Sequence, residues 1–351
     1  MKKSIAIAST DWHLKRENID QIIDLVLQQC KLAVKLNVKQ LICLGDVFDS
    51  RIAQRQDVLT AFGQILNLLE EYDLNMTIIP GNHDKTLYES NESFLDPFRS
   101  NKRLFLIRIN GSIPMLEHNI QLHFIPYFSE EKWLKTYNDY LEYLNDILDD
   151  EKKHILLTHI AVTGSCNNDG SLVTSKLSTK IFGKFFKVFS GHYHDQQKIG
   201  KNFYHIPSIQ QNNFGENEDK GFTVLYDDGS HELIQSKFKK YINVEFDLED
   251  TNYLDIVTSK KLYEKTDDNI RFTIKGSENK LKAINKQEFE EAGIDLKLRV
   301  NEIEESIKLA EENVVELNSS LIIDEFANFC DKEDLDFESG VTYLKQILKW
   351  N

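Results

Sequence analysis

Apolar segments of two kinds alternate along the first half of the chain. Short apolar runs of strand length occur at residues 4–9, 41–44 and 76–79, and polar residues follow each of them. Between these runs, residues 17–36 and 55–71 carry apolar side chains at helical spacing, which predicts two amphipathic helices. Alternation of this kind is typical of an α/β core.

The same alternation continues to about residue 160 and then changes. The further elements that it predicts are strands at 104–109, 121–126 and 154–160, with a helix near 130–149. From 187 to 245 the pattern instead predicts consecutive short strands, with a hairpin turn at the Asp-Asp-Gly-Ser sequence of residues 227–230. We therefore expect the last strands of the core to be joined directly, without intervening helices.

A second unit is expected to begin near residue 244. Strands at 271–274 and 295–300 flank a helical pattern around 279–291, which predicts a small α+β module. Beyond it, the helical stretches that we predict are 301–318, 320–330 and one near 338–350. The expected domains are accordingly 1–243, 244–300 and 301–351.

The net charge of −15, from 57 acidic and 42 basic residues, argues against a surface that binds nucleic acid by bulk positive charge. Residues 301–351 hold 13 acidic and 4 basic residues, which gives −9 and leaves only −6 for the rest of the chain. The acidity is therefore mainly a property of the C-terminal segment, and a local basic surface elsewhere remains compatible with it.

One lysine-rich segment has two interpretations. Residues 176–201 contain six lysines and a single acidic residue, Asp195. These lysines either contact a nucleic-acid backbone, since lysine–phosphate contacts supply affinity without sequence preference, or they form an ordinary solvated face. The pattern alone leaves both interpretations open.

The compartment is indicated by the four cysteines and by the absence of long apolar runs. No cysteine pair has the C-x-x-C spacing of a zinc or redox site, and sparse cysteines favour reduced thiols in the cytosol. The apolar run after the first two lysines is too short for a signal peptide, and no run reaches the length of a membrane span. We therefore expect a cytoplasmic protein that does not associate with a membrane.

Polar clusters follow five of the predicted strands at their carboxyl ends. They are Asp11-Trp12-His13, Gly45-Asp46-Val47-Phe48-Asp49, Gly81-Asn82-His83-Asp84, Thr158-His159 and Gly191-His192-Tyr193-His194. Any one of them is compatible with a tight turn or a surface loop. In an open α/β sheet, however, the crevice beyond the strand carboxyl ends is where ligands bind, so the five clusters are expected to converge. Oxygen and imidazole donors without thiolates favour Mn²⁺, Fe²⁺ or Zn²⁺, and the set is large enough for two ions.

The order D-x-H, GD-x-x-D, GNHD, H and GH-x-H resembles the calcineurin-like metallophosphoesterase superfamily. The resemblance implies an αββα two-sheet sandwich with a site for two divalent ions. It implies one ion held by Asp11, His13 and His194, a second held by Asn82, His159 and His192, and Asp46 as the bridging ligand. It also implies that His83 acts on the leaving oxygen or the transition state, that Asp84 orients the imidazole of His83, and that Asp49 lies behind the ligands.

Within this superfamily the chain resembles the SbcD-type nuclease family, including its phage recombination relatives. Serine/threonine phosphatases carry GD-x-VDRG and GNHE, whereas this chain has GDVFDSR and GNHD. The string DWHL…GDVFDSR…PGNHD…IPY…SGHYH, followed by FGE at 214–216 and KGF at 220–222, matches the SbcD type over about residues 4–226. Pro207 departs from that pattern, which usually has glycine there.

This second resemblance implies a metal-dependent DNA exonuclease and endonuclease that acts in DNA end processing, repair and recombination. We expect Mn²⁺ as the cofactor, with Mg²⁺ as the alternative. The implied partners are DNA, as duplex ends or single strands, and an SbcC-like ABC-type ATPase, with a homodimer of this chain inside a heterotetramer. Residues 244–300 would be a DNA-facing capping domain. Residues 301–351 would bind the ATPase or simply form a solvated helical face.

Two other functions are compatible with the sequence. The chain could be a calcineurin-like phosphodiesterase or phosphatase that acts on nucleotides or phosphoproteins. A non-catalytic protein that binds DNA ends is a further alternative, although every expected metal ligand is present. The histidines outside the clusters are interpreted as ordinary core or surface residues, namely His118, His123, His154, His205 and His231.

Overall fold

The structure is a computed structural model, and it describes residues 2–144, 151–167 and 170–301, together with residues 326 and 341. The chain divides into two compact units. The first comprises Met1–Ile242 with Asp267–Asn269, and the second comprises Asn243–Thr266 and the chain from Ile270 onward. No helix in the described ranges is both long and apolar enough to cross a membrane.

The first unit contains twelve strands and three α-helices in the described residues. In chain order they are β1 (Ser4–Ser9), α1 (Ile19–Leu36), β2 (Gln40–Cys43), α2 (Gln56–Glu71), β3 (Asn75–Ile78), β4 (Leu104–Leu106), β5 (Gly111–Met115), β6 (Ile120–Ile125), α3 (Glu130–Leu144), β7 (Lys153–His159), β8 (Lys187–Gly191), β9 (Gln197–Ile199), β10 (Phe203–His205), β11 (Gly221–Tyr226) and β12 (His231–Gln235).

These strands form two six-stranded sheets. The first has the order β12-β11-β1-β2-β3-β4, and the second has the order β5-β6-β7-β8-β10-β9. Strands β1 to β4 run parallel to one another, as do β6, β7, β8 and β10. The predicted turn at 227–230 joins the antiparallel pair β11 and β12, and Gly229 there has a φ of 77°, as a tight turn requires.

The two sheets face each other, and helices cover their outer faces. Alternate residues of one strand enter different layers, as β2 shows. Ile42 and Leu44 pack between the sheets with Phe124 and Leu157, whereas Leu41 points to the layer that α1 and α2 cover. On the far side of the second sheet, α3 contributes side chains to a third apolar cluster, which includes Trp133. Because these strands are buried on both faces, they read as continuous apolar runs. The predicted αββα sandwich is confirmed.

Several boundaries differ from those predicted. Strand β4 ends at Leu106 rather than 109, and the edge strands β5 and β9 were not predicted. Strand β5 alternates partly buried and exposed residues and contains Pro114, which only an edge strand tolerates, so its sequence resembles a loop. Helix α3 is described to Leu144, and the rest of the helix predicted to 149 lies outside the described residues.

The second unit contains a three-stranded sheet. Its elements are β13 (Tyr241–Asp247), α4 (Tyr253–Tyr263), β14 (Asn269–Gly276), α5 (Glu278–Lys282), α6 (Gln287–Glu290) and β15 (Ile294–Val300). Strands β14 and β15 pair in parallel over their whole length, as a β-α-β module requires, but two short helices replace the single helix predicted at 279–291. Helix α4 was missed because only Ile256 is buried on it, so it shows no apolar stripe.

Of the segment after Asn301, only Phe326 and Val341 are described. The helices predicted at 301–318, 320–330 and near 338–350 therefore lie outside the described residues. The roles expected for 244–300 and 301–351 stay predictions.

A buried histidine in the first unit makes its stability depend on pH. His123 on β6 is 1% exposed, and its ring nitrogens contact Tyr140 Oη and His154 Nδ1, both at 2.9 Å. Burial, assisted by the charge of His154, lowers the pKa of His123 to about 3. The unfolded chain binds a proton below about pH 6.5 while the folded chain does not, so this histidine lowers stability as the pH falls through 6.5.

We expect His123→Gln to flatten this dependence, because glutamine remains polar but does not titrate. The free energy of unfolding of the parent protein should lose about 1.4 kcal/mol more per pH unit below about pH 6.5 than that of the variant. Urea unfolding between about pH 7 and pH 5 measures the difference. Equal slopes in the two proteins would show that His123 is not buried in its neutral form.

Candidate metal centre

The five polar clusters lie at the carboxyl ends of β1, β2, β3, β7 and β8. The register places Ser9 opposite Cys43 and Cys43 opposite Ile78 in the first sheet. In the second sheet His159 lies opposite Gly191. The strands of each sheet therefore end level with one another, and the loops that follow them meet at one edge of the sandwich.

Asp11, His13 and His194 form the first group of donors. The Nε2 atoms of His13 and His194 lie 3.1 Å apart, and each is 3.9 Å from Asp11 Oδ1. One ligand atom from each of the three residues lies within 4.8 Å of the others. Asp11 is completely buried, and His13 is 5% exposed.

Asp46, Asn82, His159 and His192 form the second group. Asn82 Oδ1 is 3.1 Å from His159 Nε2 and 2.8 Å from His192 Nδ1. Asp46 Oδ2 is 3.3 Å from His159 Nε2. Donor atoms of Asp46 also lie within 4.8 Å of those of Asp11 on one side and of His13 on the other. The structure thus brings together all seven residues that the sequence suggested as ligands, with Asp46 between the two groups.

The arrangement of the donor atoms fits divalent cations. His159 Nδ1 donates to Leu44 O at 2.6 Å, so its Nε2 faces the cluster. His194 Nδ1 bonds to Glu216 Oε1 at 2.7 Å, which turns Nε2 of His194 inward in the same way. Outer partners of this kind are typical of metal-binding histidines. Asp11 Oδ1 is buried and has no hydrogen-bond partner in the described residues, which an ion would satisfy.

Backbone strain is concentrated at the same residues. Positive φ values of 51°, 46°, 52° and 87° occur at Asp11, His13, Asp46 and His192. Residues with side chains rarely adopt this conformation, and it persists only where the surroundings hold it. Here the N–H of Asp11 donates to Gly45 O and that of His13 to Asp46 O, both at 3.0 Å. Strain at four of seven donors is the observation that most strongly marks this edge as a functional site.

Two motif glycines allow the loops after β2 and β3 to touch. Gly45 has a φ of 97°, and a Cβ atom there would lie 2.5 Å from the backbone nitrogen of Gly81. A Cβ atom at Gly81 would collide with the carboxylate of Asp46. Because only glycine fits at both positions, Asp46 and Asn82 can approach the same cluster.

The charges in the cluster are strongly coupled. Burial would raise the pKa of Asp46, but the imidazole of His159 and the other histidines hold it well below its usual range. Burial opposes protonation of His159, yet Asp46 raises the pKa of that histidine to about 9. Desolvation lowers the pKa of His192 to about 3. Asp46 therefore stays ionised beside at least one neutral imidazole, as metal ligands must be.

His83 lies beside the cluster, where it contacts the loop after β2. Its N–H donates to Asp46 Oδ1 at 2.8 Å, and its ring centroid is 4.7 Å from that of His13. Nδ1 of His83 donates to the carbonyl oxygen of Asp49 at 2.5 Å. Since a carbonyl oxygen only accepts, Nδ1 carries the proton and Nε2 is left as the free nitrogen. Burial lowers the pKa of His83, which favours the neutral ring.

The role expected for Asp84 needs correction. Its carboxylate accepts hydrogen bonds from the backbone N–H groups of Gly81 at 2.9 Å and Phe48 at 3.0 Å, so it holds two loops together instead of orienting His83. The backbone carbonyl of Asp49 orients the imidazole. Burial and the neighbouring Asp46 raise the pKa of Asp84 to about 6.

The sequence analysis missed Glu216 and Lys220 as supports of the cluster. Glu216 bonds to His194, and Lys220 Nζ lies 3.1 Å from Glu216 Oε2, 2.5 Å from Asp195 Oδ1 and 2.7 Å from His194 O. The side chains of Glu216 and Lys220 are completely buried. Both belong to the segments FGE and KGF that carried the resemblance, which was the only available signal, since pattern alone does not reveal a contact with a residue 22 positions earlier.

We expect Glu216→Gln to weaken metal binding at the first group by about 10- to 100-fold, because the variant loses the charge that holds His194. Calorimetric titration with Mn²⁺ measures the affinity. Glu218→Gln is the matched control, since Glu218 is exposed and pairs with Lys240. Unchanged Mn²⁺ affinity in Glu216→Gln would contradict this role.

Tyr127 forms one wall of the cluster. Its ring stacks against His192 with centroids 6.0 Å apart and an interplanar angle of 23°. The completely buried Lys85 donates to Tyr127 O at 2.6 Å and lies over the ring of Phe128, so it fixes this loop against the GNHD loop. Apart from the IPY motif, no sequence pattern indicated this contact.

The lysines of residues 176–201 do not form a single track toward the cluster. Lys187 begins β8, and the metal-binding edge lies at the other end of that strand, about 13 Å away at about 3.3 Å per residue. Lys176 instead pairs with Glu131 at the start of α3, 2.8 Å away. The prediction of one continuous lysine surface beside the GHYH loop is therefore wrong for Lys187.

Comparison with known proteins identifies relatives of the chain. The model of the family described as calcineurin-like phosphoesterase matches residues 7–196. A Staphylococcus saprophyticus protein named as the SbcD component of the nuclease SbcCD is 23% identical over 300 residues, which cover 77% of each chain. A "Putative phosphoesterase 244L" of invertebrate iridescent virus 6 is 26% identical over 296 residues, which cover 79% of this chain and 95% of the viral protein.

Among solved structures, a dimetal phosphatase from Danio rerio resembles this chain with a TM-score of 0.44 and 11% identity. The match covers 64% of this chain and 93% of the zebrafish protein.

Proposed function

The chain belongs to the calcineurin-like phosphoesterase family, and from this premise we propose that it is a metal-dependent DNA nuclease, acting as exonuclease and endonuclease at DNA ends in repair and recombination. The observation that carries the proposal is the strained cluster of seven oxygen and imidazole donors with His83 beside it. Relatives named as the SbcD component of the nuclease SbcCD in two Staphylococcus species support the choice of DNA as the substrate.

The family uses divalent metal ions, and the residues present suit two of them. Asp11, His13 and His194 would hold one ion, Asn82, His159 and His192 the other, and Asp46 would contribute to both. We propose Mn²⁺, with Mg²⁺ as the alternative, because the donors are nitrogen and oxygen without sulfur. When bound, such a pair supplies Lewis acidity that activates water and offsets charge on a phosphoryl group.

His83 would act on the leaving oxygen of the scissile phosphodiester. The Asp49 carbonyl fixes the proton on Nδ1 and so directs Nε2 away from the loop. The N–H of His83 bonds to Asp46, so the ring is held at a fixed distance from the donor cluster. A histidine fixed in this way can hold or transfer a proton at Nε2 in the transition state.

The test of this function is an assay of the purified chain with Mn²⁺ on end-labelled duplex and single-stranded DNA, in parallel with a cyclic nucleotide and a phosphopeptide. We expect cleavage of DNA and little turnover of the other two substrates. Preferential hydrolysis of the cyclic nucleotide or the phosphopeptide would favour the alternative, a phosphodiesterase or phosphatase with a small-molecule or phosphoprotein substrate. DNA binding without cleavage of any substrate would indicate a scaffolding protein.

The proposal includes partners. The chain would work in the cytoplasm as a homodimer within a heterotetramer that contains an SbcC-like ABC-type ATPase, with residues 244–300 facing DNA. The names of the staphylococcal relatives, which place them in an SbcCD nuclease, support this part of the proposal.

We expect truncation after residue 300 to abolish association with the ATPase, because residues 301–351 are proposed to bind it. The truncated chain should keep its metal-dependent phosphodiesterase activity, since all seven donors precede that point. Co-purification of a tagged chain with the ATPase measures association. Retention of the ATPase by the truncated chain would contradict the role of this segment.

A further inference from the structure

Arg51 is an exposed arginine beside His83 that the function proposed above does not use. It lies in the loop between β2 and α2, two residues after Asp49. Its Nη1 donates to Tyr88 Oη and its Nη2 donates to His83 Nε2, both at 2.8 Å. Within the described ranges, the guanidinium makes no ion pair with a carboxylate.

The guanidinium is thus held by neutral partners while its charge is not compensated. A guanidinium has five N–H donors, and these two bonds use two of them, so three remain for another ligand. Phosphate oxygens are much better acceptors for arginine than a phenol or a neutral imidazole, because the hydrogen bonds are assisted by charge and can be bidentate. Arg51 is therefore oriented and able to bind a phosphate group.

The surroundings define where such a phosphate would lie. The ring of Tyr88 meets that of Tyr127 edge to face, with centroids 5.1 Å apart, and Tyr127 in turn stacks on His192. The two tyrosines form a continuous aromatic wall from Arg51 to the donor cluster. The nitrogen that Arg51 contacts is Nε2 of His83, which is the atom assigned to the leaving oxygen.

We propose that Arg51 binds the phosphodiester adjacent to the scissile one on the leaving-group side, with the Tyr88 hydroxyl holding the guanidinium in position. This inference rests on the proposed function, because a nucleic-acid strand supplies the adjacent phosphate. In the structure Arg51 occupies Nε2 of His83. When the phosphate binds, its oxygens replace Nε2 as the acceptor, which frees this nitrogen to face the reacting group.

The test combines a protein variant with a substrate variant. Wild-type chain and Arg51→Ala are assayed with Mn²⁺ on an oligonucleotide whose leaving-side neighbouring phosphate is either native or replaced by a neutral methylphosphonate. The termini of the wild-type products identify the leaving side. We expect the methylphosphonate to lower the kcat/KM of the wild-type chain by about 10- to 100-fold and to change that of Arg51→Ala little further.

Two controls make the result specific. A methylphosphonate on the attacking side should affect both proteins equally. Arg55→Ala should show the wild-type response, since Arg55 is four residues away and pairs with Asp57 at 3.1 Å. Tyr88→Phe should reduce the difference between the two substrates without removing it. An equal effect of the leaving-side methylphosphonate on wild-type chain and Arg51→Ala, or coupling of Arg51 only to the attacking-side phosphate, would overturn the proposal.

A small diester separates this subsite from a role that Arg51 would exert only through His83. Bis(4-nitrophenyl) phosphate has no neighbouring phosphate, so Arg51→Ala should lose much less activity on it than on the oligonucleotide. Equal losses on both substrates would show that Arg51 only positions His83. Failure of the proposed function would give a different result, namely hydrolysis of the small diester by the wild-type chain without cleavage of DNA, and the subsite would fail with it.

Discussion

Asp46→Ala is expected to reduce phosphodiesterase activity to the level of a chelator-treated sample. Asp46 is the carboxylate that lies between the two groups of donors, 3.3 Å from His159 and within 4.8 Å of donor atoms of Asp11 and His13. Without it, neither group keeps enough negative charge to hold a divalent cation tightly. Hydrolysis of bis(4-nitrophenyl) phosphate with added Mn²⁺, together with the measured metal content, tests this expectation.

Two further variants interpret that result. Asp46→Asn keeps the volume of the side chain and an acceptor for the N–H of His83, so it separates the loss of charge from the loss of packing. Asp57→Ala is the matched control, because Asp57 is an aspartate at the start of α2 that pairs with Arg55 outside the cluster. Activity of Asp46→Ala within about tenfold of the parent protein would exclude a shared metal ligand at this position.

His83→Ala is expected to lower the cleavage rate by about 10²- to 10⁴-fold while metal binding and most DNA binding remain. The reason is geometric. His83 shares a backbone hydrogen bond with Asp46, which alanine keeps, and its ring takes part in neither of the two donor groups that are proposed to hold the ions. Rates on end-labelled DNA, and Mn²⁺ affinity by calorimetry, measure the two effects separately.

The control for this variant is His118→Ala, since His118 lies in the turn between β5 and β6, away from the donor cluster. A large loss of Mn²⁺ affinity in His83→Ala would mean that His83 is a metal ligand. Undiminished cleavage would mean that another group assists the leaving oxygen. The two variants together therefore distinguish the residue that holds the ions from the residue that acts on the substrate.

The outline of the fold follows from local pattern. The buried parallel strands β1, β2 and β3 show as apolar runs, and α1 and α2 show as helical stripes, because each element buries a fixed face in the core. Helix α4 and edge strands β5 and β9 bury little and so leave no such pattern. Predictability here depends on how much of an element faces the core.

The candidate site was predictable to the same extent for its donors but not for their supports. The donors stand next to strand ends in the sequence, and the topology of parallel strands brings strand ends together. Glu216, Lys220, Tyr127 and Arg51 reach the cluster or His83 from other parts of the chain, and no local pattern distinguishes them from ordinary surface or core residues. Asp84 shows the reverse error, since its position beside His83 suggested a contact that the backbone directs elsewhere.

The sequence by itself determined the α/β class, the strand ends and the identity of the seven donors, because hydrophobic period and residue type are local properties. Only the tertiary structure decided which nitrogen of each histidine faces inward, that a backbone carbonyl orients His83, and that Lys187 lies at the far end of its strand from the cluster. Those features depend on contacts between residues that are distant in the chain. Such contacts are fixed when the two sheets pack together, and no sequence window contains them.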